Sequence, residues 1–418
     1  MPGSDTSLII RAFLLAITLS WPAASSAQPA NYRQVHVFAG GSDNDGALPV
    51  AGLTAVGDTL YGVTIFGNGR TRCQQLGEGC GTIYAISPTT GYRVVYSFKG
   101  SFLTATPDGA EPAAPLVAVD GALYGTTAYG GSANCDLGMG CGTVFRISPG
   151  GDETVLHSFS DADGAYPMSG LTRIGDMLYG TTSAGGADGY GTVFSIAPDG
   201  QEAVLHSFAD GSDGAGPIGN LIVVDGVLYG VTGSGGVADR YCREGCGTVF
   251  AVTPSGDERV LTRFKGGAEG NFPEGGLVQL GTTLYGTTGS GGTSGYGTLF
   301  SLSLDGTITS SQSFDGSNGY RPVGSLVVLN GTLYGASEYG GSGTSSGCAL
   351  YACGDLFSAV PGGPISGIYS FVGGSDGIGP MSGLTALGGV LFGTTEYGGD
   401  GNGCIGIQGC GTVFAIKP

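Results

Sequence analysis

Between Gly170 and Phe208 the chain alternates short runs of apolar and β-branched residues with clusters of Gly, Asp and Pro. The runs are Leu171–Ile174, Met177–Thr182, Gly191–Ile196 and Glu202–Phe208. Each is of strand length, none carries a 3.6-residue period, and turn residues bound them all. The pattern therefore predicts four strands, here A to D. Strands A and B are joined by Gly175-Asp176, and C and D by Pro198-Asp199-Gly200. Gly and Asp accept the positive φ of type I′ and II′ turns, and Pro followed by Gly presets a short reversal. Both links thus predict antiparallel hairpins.

The same pattern returns seven times. Its Leu-Tyr/Phe-Gly core places an aromatic at Tyr61, Tyr124, Tyr179, Tyr229, Tyr285, Tyr334 and Phe392, at intervals of 49 to 63 residues. Every A to B link is two residues: Gly57-Asp58, Asp120-Gly121, Gly175-Asp176, Asp225-Gly226, Gly281-Thr282, Asn330-Gly331 and Gly388-Gly389. Four antiparallel strands in a unit of about fifty residues match a propeller blade, whereas a β-solenoid needs shorter rungs. The prediction is an all-β, seven-bladed β-propeller with four-stranded antiparallel blades. Its ends are offset. Val35-His36-Val37-Phe38 aligns with the D segments Leu156-His157-Ser158-Phe159 and Leu205-His206-Ser207-Phe208, while the last copy supplies only A near Leu384, B at Val390–Thr395 and C at Gly411–Ile416. An N-terminal strand completing the last blade is expected to close the ring and cover its open edges.

Ahead of the repeats, Arg11, the apolar run Ala12 to Trp21 and the small residues Ser25-Ser26-Ala27 have the order of a secretory signal peptide cut after Ala27. The division is thus 1–27 signal peptide and 28–418 propeller. No later segment has the length of a membrane helix, so a secreted, periplasmic or cell-surface protein without membrane insertion is expected. The chain ends at Lys417-Pro418 with no hydrophobic tail, and no anchor is expected.

Composition narrows the class further. Gly is 86 of 418 residues but does not fall at every third position, which excludes a collagen-like chain. A hydrophobic fraction of 41% excludes wholesale disorder. Cleavage after Ala27 removes Arg11 and Asp5 together, so the net charge stays at -18. Such a surface lacks the cations that nucleic acid demands, which excludes nucleic acid as a partner. A monomer is expected.

The repeat resembles the choice-of-anchor tandem repeat proteins with GloVer-type repeats, which carry Leu-Tyr-Gly-Thr-Thr, Gly-Gly, and Gly-Thr-Val-Phe with a following Ser-Phe strand. Leu178-Tyr179-Gly180-Thr181-Thr182 and Gly191-Thr192-Val193-Phe194 show it here. The resemblance spans the mature chain and implies secretion and a repeat β fold, with no settled activity. The C-terminal anchor that the family name implies is not expected here.

All ten Cys fall in B to C loops as five local pairs: Cys73/Cys80, Cys135/Cys141, Cys242/Cys246, Cys348/Cys353 and Cys404/Cys410. The second Cys of each pair directly precedes the Gly that opens strand C, and the two copies without Cys place Tyr190 and Tyr296 there. For an exported protein, disulfides within each loop are the simplest pairing. Variable spacing and the lack of accompanying His argue against metal at the cysteines.

The three His, at positions 36, 157 and 206, share one repeat position in strand D. A catalytic His is expected to break the repeat, so these are read as structural. The D to A loops are acidic, as in Asp43-Asn44-Asp45-Gly46, Asp161-Ala162-Asp163-Gly164 and Asp210-Gly211-Ser212-Asp213-Gly214. Alternating carboxylates suit calcium, which makes Asp43, Asp45, Asp161 and Asp163 its candidate ligands. Asx-turns explain the same residues more simply, and the full EF-hand pattern is absent. No other cofactor is expected.

Alternating strand direction puts the tight A to B and C to D turns on one face and the variable loops on the other. Loops on a rigid scaffold commonly carry binding residues. The leading expectation is a non-catalytic binding or adhesion module that engages a glycan or a protein through the long-loop face, using Tyr129, Tyr339 and Tyr397. The lone Trp, Trp21, leaves with the signal peptide, which counts against a strong lectin. The alternative is a polysaccharide lyase or hydrolase, for which Glu338 and Glu396 supply paired carboxylates and Arg321 and Arg240 the cations, although two solvated loop acids explain that pair more simply because nothing in the sequence fixes their distance. A structural cell-surface protein is a third.

Overall fold

The computed structural model describes residues 31–40, 45–67, 79–100, 108–131, 135, 138–341, 348, 352–399, 404 and 409–418. The signal segment, Asp43 and Cys73 lie outside these residues.

The described chain forms a seven-bladed β-propeller of four-stranded antiparallel blades. Blade 3 consists of Thr172–Ile174, Met177–Thr182, Thr192–Ile196 and Glu202–Ser207. These bounds match the sequence pattern to within one residue. The tight links resolve into two turn types by residue identity. Gly57, Gly175 and Gly281 carry positive φ at the first central position alone, the type II′ pattern. Asp120-Gly121, Asp225-Gly226, Asn330-Gly331 and Gly388-Gly389 carry it at both, the type I′ pattern.

Blade 7 closes the ring as its offset ends predict. Thr385–Leu387, Val390–Thr395 and Thr412–Ile416 come from the C-terminus, and Tyr32–Val37 from the N-terminus. Tyr32 lies opposite Ile416 and Val37 opposite Thr412, antiparallel, with a bulge between Gln34 and His36. Tyr32 also stacks on Tyr369 of blade 6 at 4.1 Å, and His36 on Tyr92 of blade 1 at 3.7 Å. The first strand therefore grips both neighbours of the seam.

The core lies between blades, in layers such as Tyr179, Val193 and Phe208 of blade 3 against Leu221, Leu228 and Phe250 of blade 4. At each junction a strand D phenylalanine meets a strand C aromatic of the next blade edge to face. The seven pairs, Phe38–Tyr84 through Phe371–Phe414, have centroids 4.9 to 5.3 Å apart. This geometry suits the ring quadrupoles.

The strand C aromatic also explains the glycine of the Leu-Tyr-Gly core. A Cβ on Gly180 would lie 2.6 Å from Cζ of Phe194 and 3.0 Å from Leu171. Gly180→Ala is therefore expected to cost about 1–3 kcal/mol by overpacking. A denaturation midpoint unchanged from the parent would remove this explanation.

Beside this core, strand B ends and strand C begins on paired threonines, as in Thr182–Thr192, whose hydroxyls are 2.9 Å apart. Blade 6 departs, with Ser337 and Asp355 in their places. Asp355 is fully buried. Ser370 donates to its Oδ1 at 2.7 Å, and its Oδ2 has no hydrogen-bond partner among the described residues. Burial pushes this carboxyl up to about 7.

Candidate functional site: the long-loop mouth of the axial channel

Strand A is innermost, and the way the chain enters it builds the mouth. Each entry first pairs with the extended end of strand B, as Ala110 with Tyr129, Tyr320 with Tyr339 and Ile378 with Tyr397. The next residue is left-handed in all seven repeats: Leu48, Glu111, Tyr166, Gly216, Phe272, Arg321 and Gly379 have φ between 55 and 65°. Pro follows every one of them. Five of the seven are not Gly, so the conformation is held against its intrinsic cost by its surroundings.

Those surroundings are the preceding blade. Each left-handed amide donates, at 2.9 to 3.0 Å, to the carbonyl of the residue two before strand C: Cys410, Cys80, Cys141, Tyr190, Cys246, Tyr296 and Cys353 in turn. The proline then covers the following glycine, and a Cβ on Gly297 would lie 2.7 Å from Pro322. The second cysteine of each pair thus carries the acceptor that seats the next mouth residue. Cys135–Cys141, Cys242–Cys246, Cys348–Cys353 and Cys404–Cys410 are disulfides. Cys80 is also disulfide-bonded. Such bonds indicate an oxidising compartment. Among the described residues no helix is long and apolar enough to cross a membrane.

The residues after the prolines, Val50, Ala113, Met168, Ile218, Glu274, Val323 and Met381, ring an axial cavity of about 630 Å³. Six are apolar. Glu274 is the exception, and Arg321 reaches it from the next blade. Arg321 donates to both Glu274 oxygens, from Nε at 3.0 Å and Nη2 at 3.1 Å, and from Nη1 to Glu338 Oε2 at 2.6 Å. Glu396 completes the group within electrostatic reach of Glu338 and Arg321. Three carboxylates thus face one guanidinium.

Burial raises the Glu274 carboxyl, with the Arg321 hydrogen bonds and charge opposing it. Burial also raises Glu396, helped by the Glu338 charge and opposed by the Tyr397 hydroxyl, which donates to it. Tyr339 is pushed up to about 12 by burial and then by its hydrogen bond to Glu338.

Of the residues nominated from sequence, Arg321, Glu338, Glu396, Tyr339 and Tyr397 come together here. Arg240 does not join them. It lies in the B to C loop of blade 4 with its guanidinium 4.5 Å above the ring of Tyr241. Tyr129 packs on Tyr166 at 5.4 Å, and Tyr320 lies between Tyr296 and Tyr339 at 5.0 and 5.5 Å. The sequence pattern missed Glu274, Tyr166 and Tyr320. Aligning the repeats on their prolines would have exposed all three.

The acidic D to A loops are turn caps. Asp45 accepts from the Ala39 amide and Asp163 from the Ser160 amide, and both also face a strand D histidine, His36 at 3.4 Å and His157 at 3.1 Å. Asp161 is exposed at a left-handed turn position. A second concavity, about 640 Å³, is an open groove on the outer wall between blades 5 and 6, lined by Asp315, Asn318, Ile365 and Gly367. It holds none of the nominated residues.

Fold and site together define a disulfide-bearing seven-bladed propeller with a charged cluster at the mouth of its axial channel. The chain belongs to the Gloeobacter/Verrucomicrobia repeat family, whose sequence pattern matches residues 26–243, 135–349 and 236–414. Comparison with curated proteins returned no match. Among solved structures, a provisionally assigned 6-phosphogluconolactonase of Bacteroides uniformis is similar, with 14% identity, TM-score 0.49, and coverage of 80% of this chain and 89% of that one. A gluconolactonase of Xanthomonas campestris has 16% identity, TM-score 0.39, and coverage of 66% and 79%. Identities this low carry nothing about activity.

Proposed function

We propose that this chain is an exported, non-catalytic binding module that holds a saccharide or a polypeptide over the long-loop mouth of its axial channel. One observation carries the reading: side chains that depart from the repeat, Glu274, Arg321, Glu338 and Glu396, gather at a single apolar-rimmed opening. Carboxylates accept hydrogen bonds from sugar hydroxyls and amines, and the neighbouring tyrosines offer faces for stacking. The signal-like N-terminus and the disulfides support export.

A glycan array and a cell-envelope pull-down with the mature chain test this. A retained ligand is expected, and Glu396→Gln should weaken it at least about tenfold, or 1.4 kcal/mol. Retention unchanged in Glu396→Gln and in Tyr339→Ala would move the site away from the mouth.

Hydrolysis is the second reading, favoured by Glu396. Its raised carboxyl beside Glu338 has the form of an acid paired with a carboxylate. New reducing ends from a polysaccharide panel, lost in Glu396→Gln, would replace the non-catalytic reading with this one.

A further inference from the structure

Away from the mouth, the outer wall carries a pattern that turn capping explains only in part: Asp163 and Asp213 accept from the Ser160 and Ala209 amides, and each also meets a histidine and a glutamate. At two adjacent junctions three side chains meet: one from strand D, the D to A capping residue, and the first residue of the next strand D. Between blades 2 and 3 these are His157, Asp163 and Glu202. Between blades 3 and 4 they are His206, Asp213 and Glu258. In both groups one donor atom from each residue lies within 4.8 Å of the other two.

We propose that these two junctions are divalent metal sites of the zinc type, each offering one imidazole nitrogen and two carboxylates. His157 Nε2 is 3.1 Å from Asp163 Oδ2, and His206 Nε2 is 3.2 Å from Asp213 Oδ2. Two ligands on a tetrahedral Zn²⁺, each about 2.0–2.2 Å from the ion, lie roughly 3.3–3.5 Å apart. Small side-chain shifts therefore convert the hydrogen-bonded pair into a ligand pair.

A second observation points the same way. Glu202 Oε1 and Glu258 Oε1 are closed to solvent and have no hydrogen-bond partner among the described residues. A buried carboxylate oxygen left so is costly unless a proton or a cation satisfies it. An ion between the three groups supplies the missing partner.

The junction between blades 1 and 2 supplies an internal contrast. There Tyr96 replaces the histidine and donates to Asp108 at 2.7 Å, with Glu153 Oε2 3.4 Å away; Glu153 Oε1 is as unpartnered as its counterparts, so the imidazole is what sets the other two junctions apart. Between blades 7 and 1 the histidine remains, but Tyr92 replaces the glutamate. The full donor set thus falls at two adjacent junctions. Imidazole in that set favours zinc over calcium, which takes oxygen ligands. Arg263 donates from Nε to the Ser212 carbonyl at 2.7 Å, which brings a positive charge next to Asp213, so the His157 site should be the tighter.

The test is calorimetric titration of the tag-free, chelator-stripped chain with Zn²⁺ at pH 7.5, with Ca²⁺ in parallel. Two equivalents of Zn²⁺ are expected. His157→Tyr should remove the tighter one, His206→Tyr the other, and the double variant both. Tyrosine is the residue that blade 1 already accepts at this position, and a melt in chelator checks that the variants fold. Should either fail to fold, Glu202→Gln and Glu258→Gln give the same readout. Absence of saturable Zn²⁺ binding, or binding undiminished in the double variant, overturns the proposal.

Discussion

Phe38→Ala is expected to lower the unfolding free energy by about 3–5 kcal/mol, the cost of truncating a buried phenylalanine. Phe38 is fully buried. Its ring meets Tyr84 of blade 1 at 5.1 Å, and its amide donates to the Gly411 carbonyl of blade 7 at 3.0 Å. It therefore joins the two chain ends through one residue. Phe208 makes the same edge-to-face contact, with Phe250, inside the continuous part of the ring. Phe208→Ala should lose a similar free energy. Only Phe38→Ala should also free the amides of Tyr32–Val37 for hydrogen exchange, because that strand has no covalent neighbour on its blade. A loss below about 1 kcal/mol, or unchanged protection of those amides, would contradict the seam described above.

Asp355→Thr is expected to stabilise the protein at pH 8 and to do little at pH 4. The folded state holds the Asp355 proton up to about 7, whereas the unfolded chain releases it near 3.8. A raised acid binds its proton more tightly when folded, so its contribution is fully present below pH 3.8 and is lost as the pH rises to 7. That rise corresponds to about 4 kcal/mol at most. Threonine occupies this position in the other six blades and pairs there with the strand B hydroxyl, so the substitution restores a partner already built into the ring. Denaturation at several pH values measures the slope. Parallel parent and variant curves between pH 4 and 8 would show that Asp355 is not held protonated.

Much of this fold was legible because its determinants are local and repeated. Gly175-Asp176 and its six counterparts name their own turn types, and the unmatched strand at Val35–Phe38 announces the closure. The mouth was harder to read, because its geometry is set between blades. Arg321 acquires its meaning from Glu274, 47 residues earlier, and from a left-handed backbone that Tyr296 of the preceding blade holds in place. No hydrophobic period encodes that. The histidines show the same division. Their shared repeat position was legible, and the turn places an aspartate within 3.1 Å of His157 and 3.2 Å of His206. Glu202 and Glu258 approach them only once the blades pack.

The bond from each left-handed amide to the preceding blade leaves the side chain at that position free to vary. Backbone atoms alone form it, and it persists whether the side chain is leucine, glutamate, tyrosine, phenylalanine, arginine or nothing. The mouth is in effect a row of seven sockets. Each holds a different residue on the same backbone, so the chemistry of the rim can be redesigned one blade at a time.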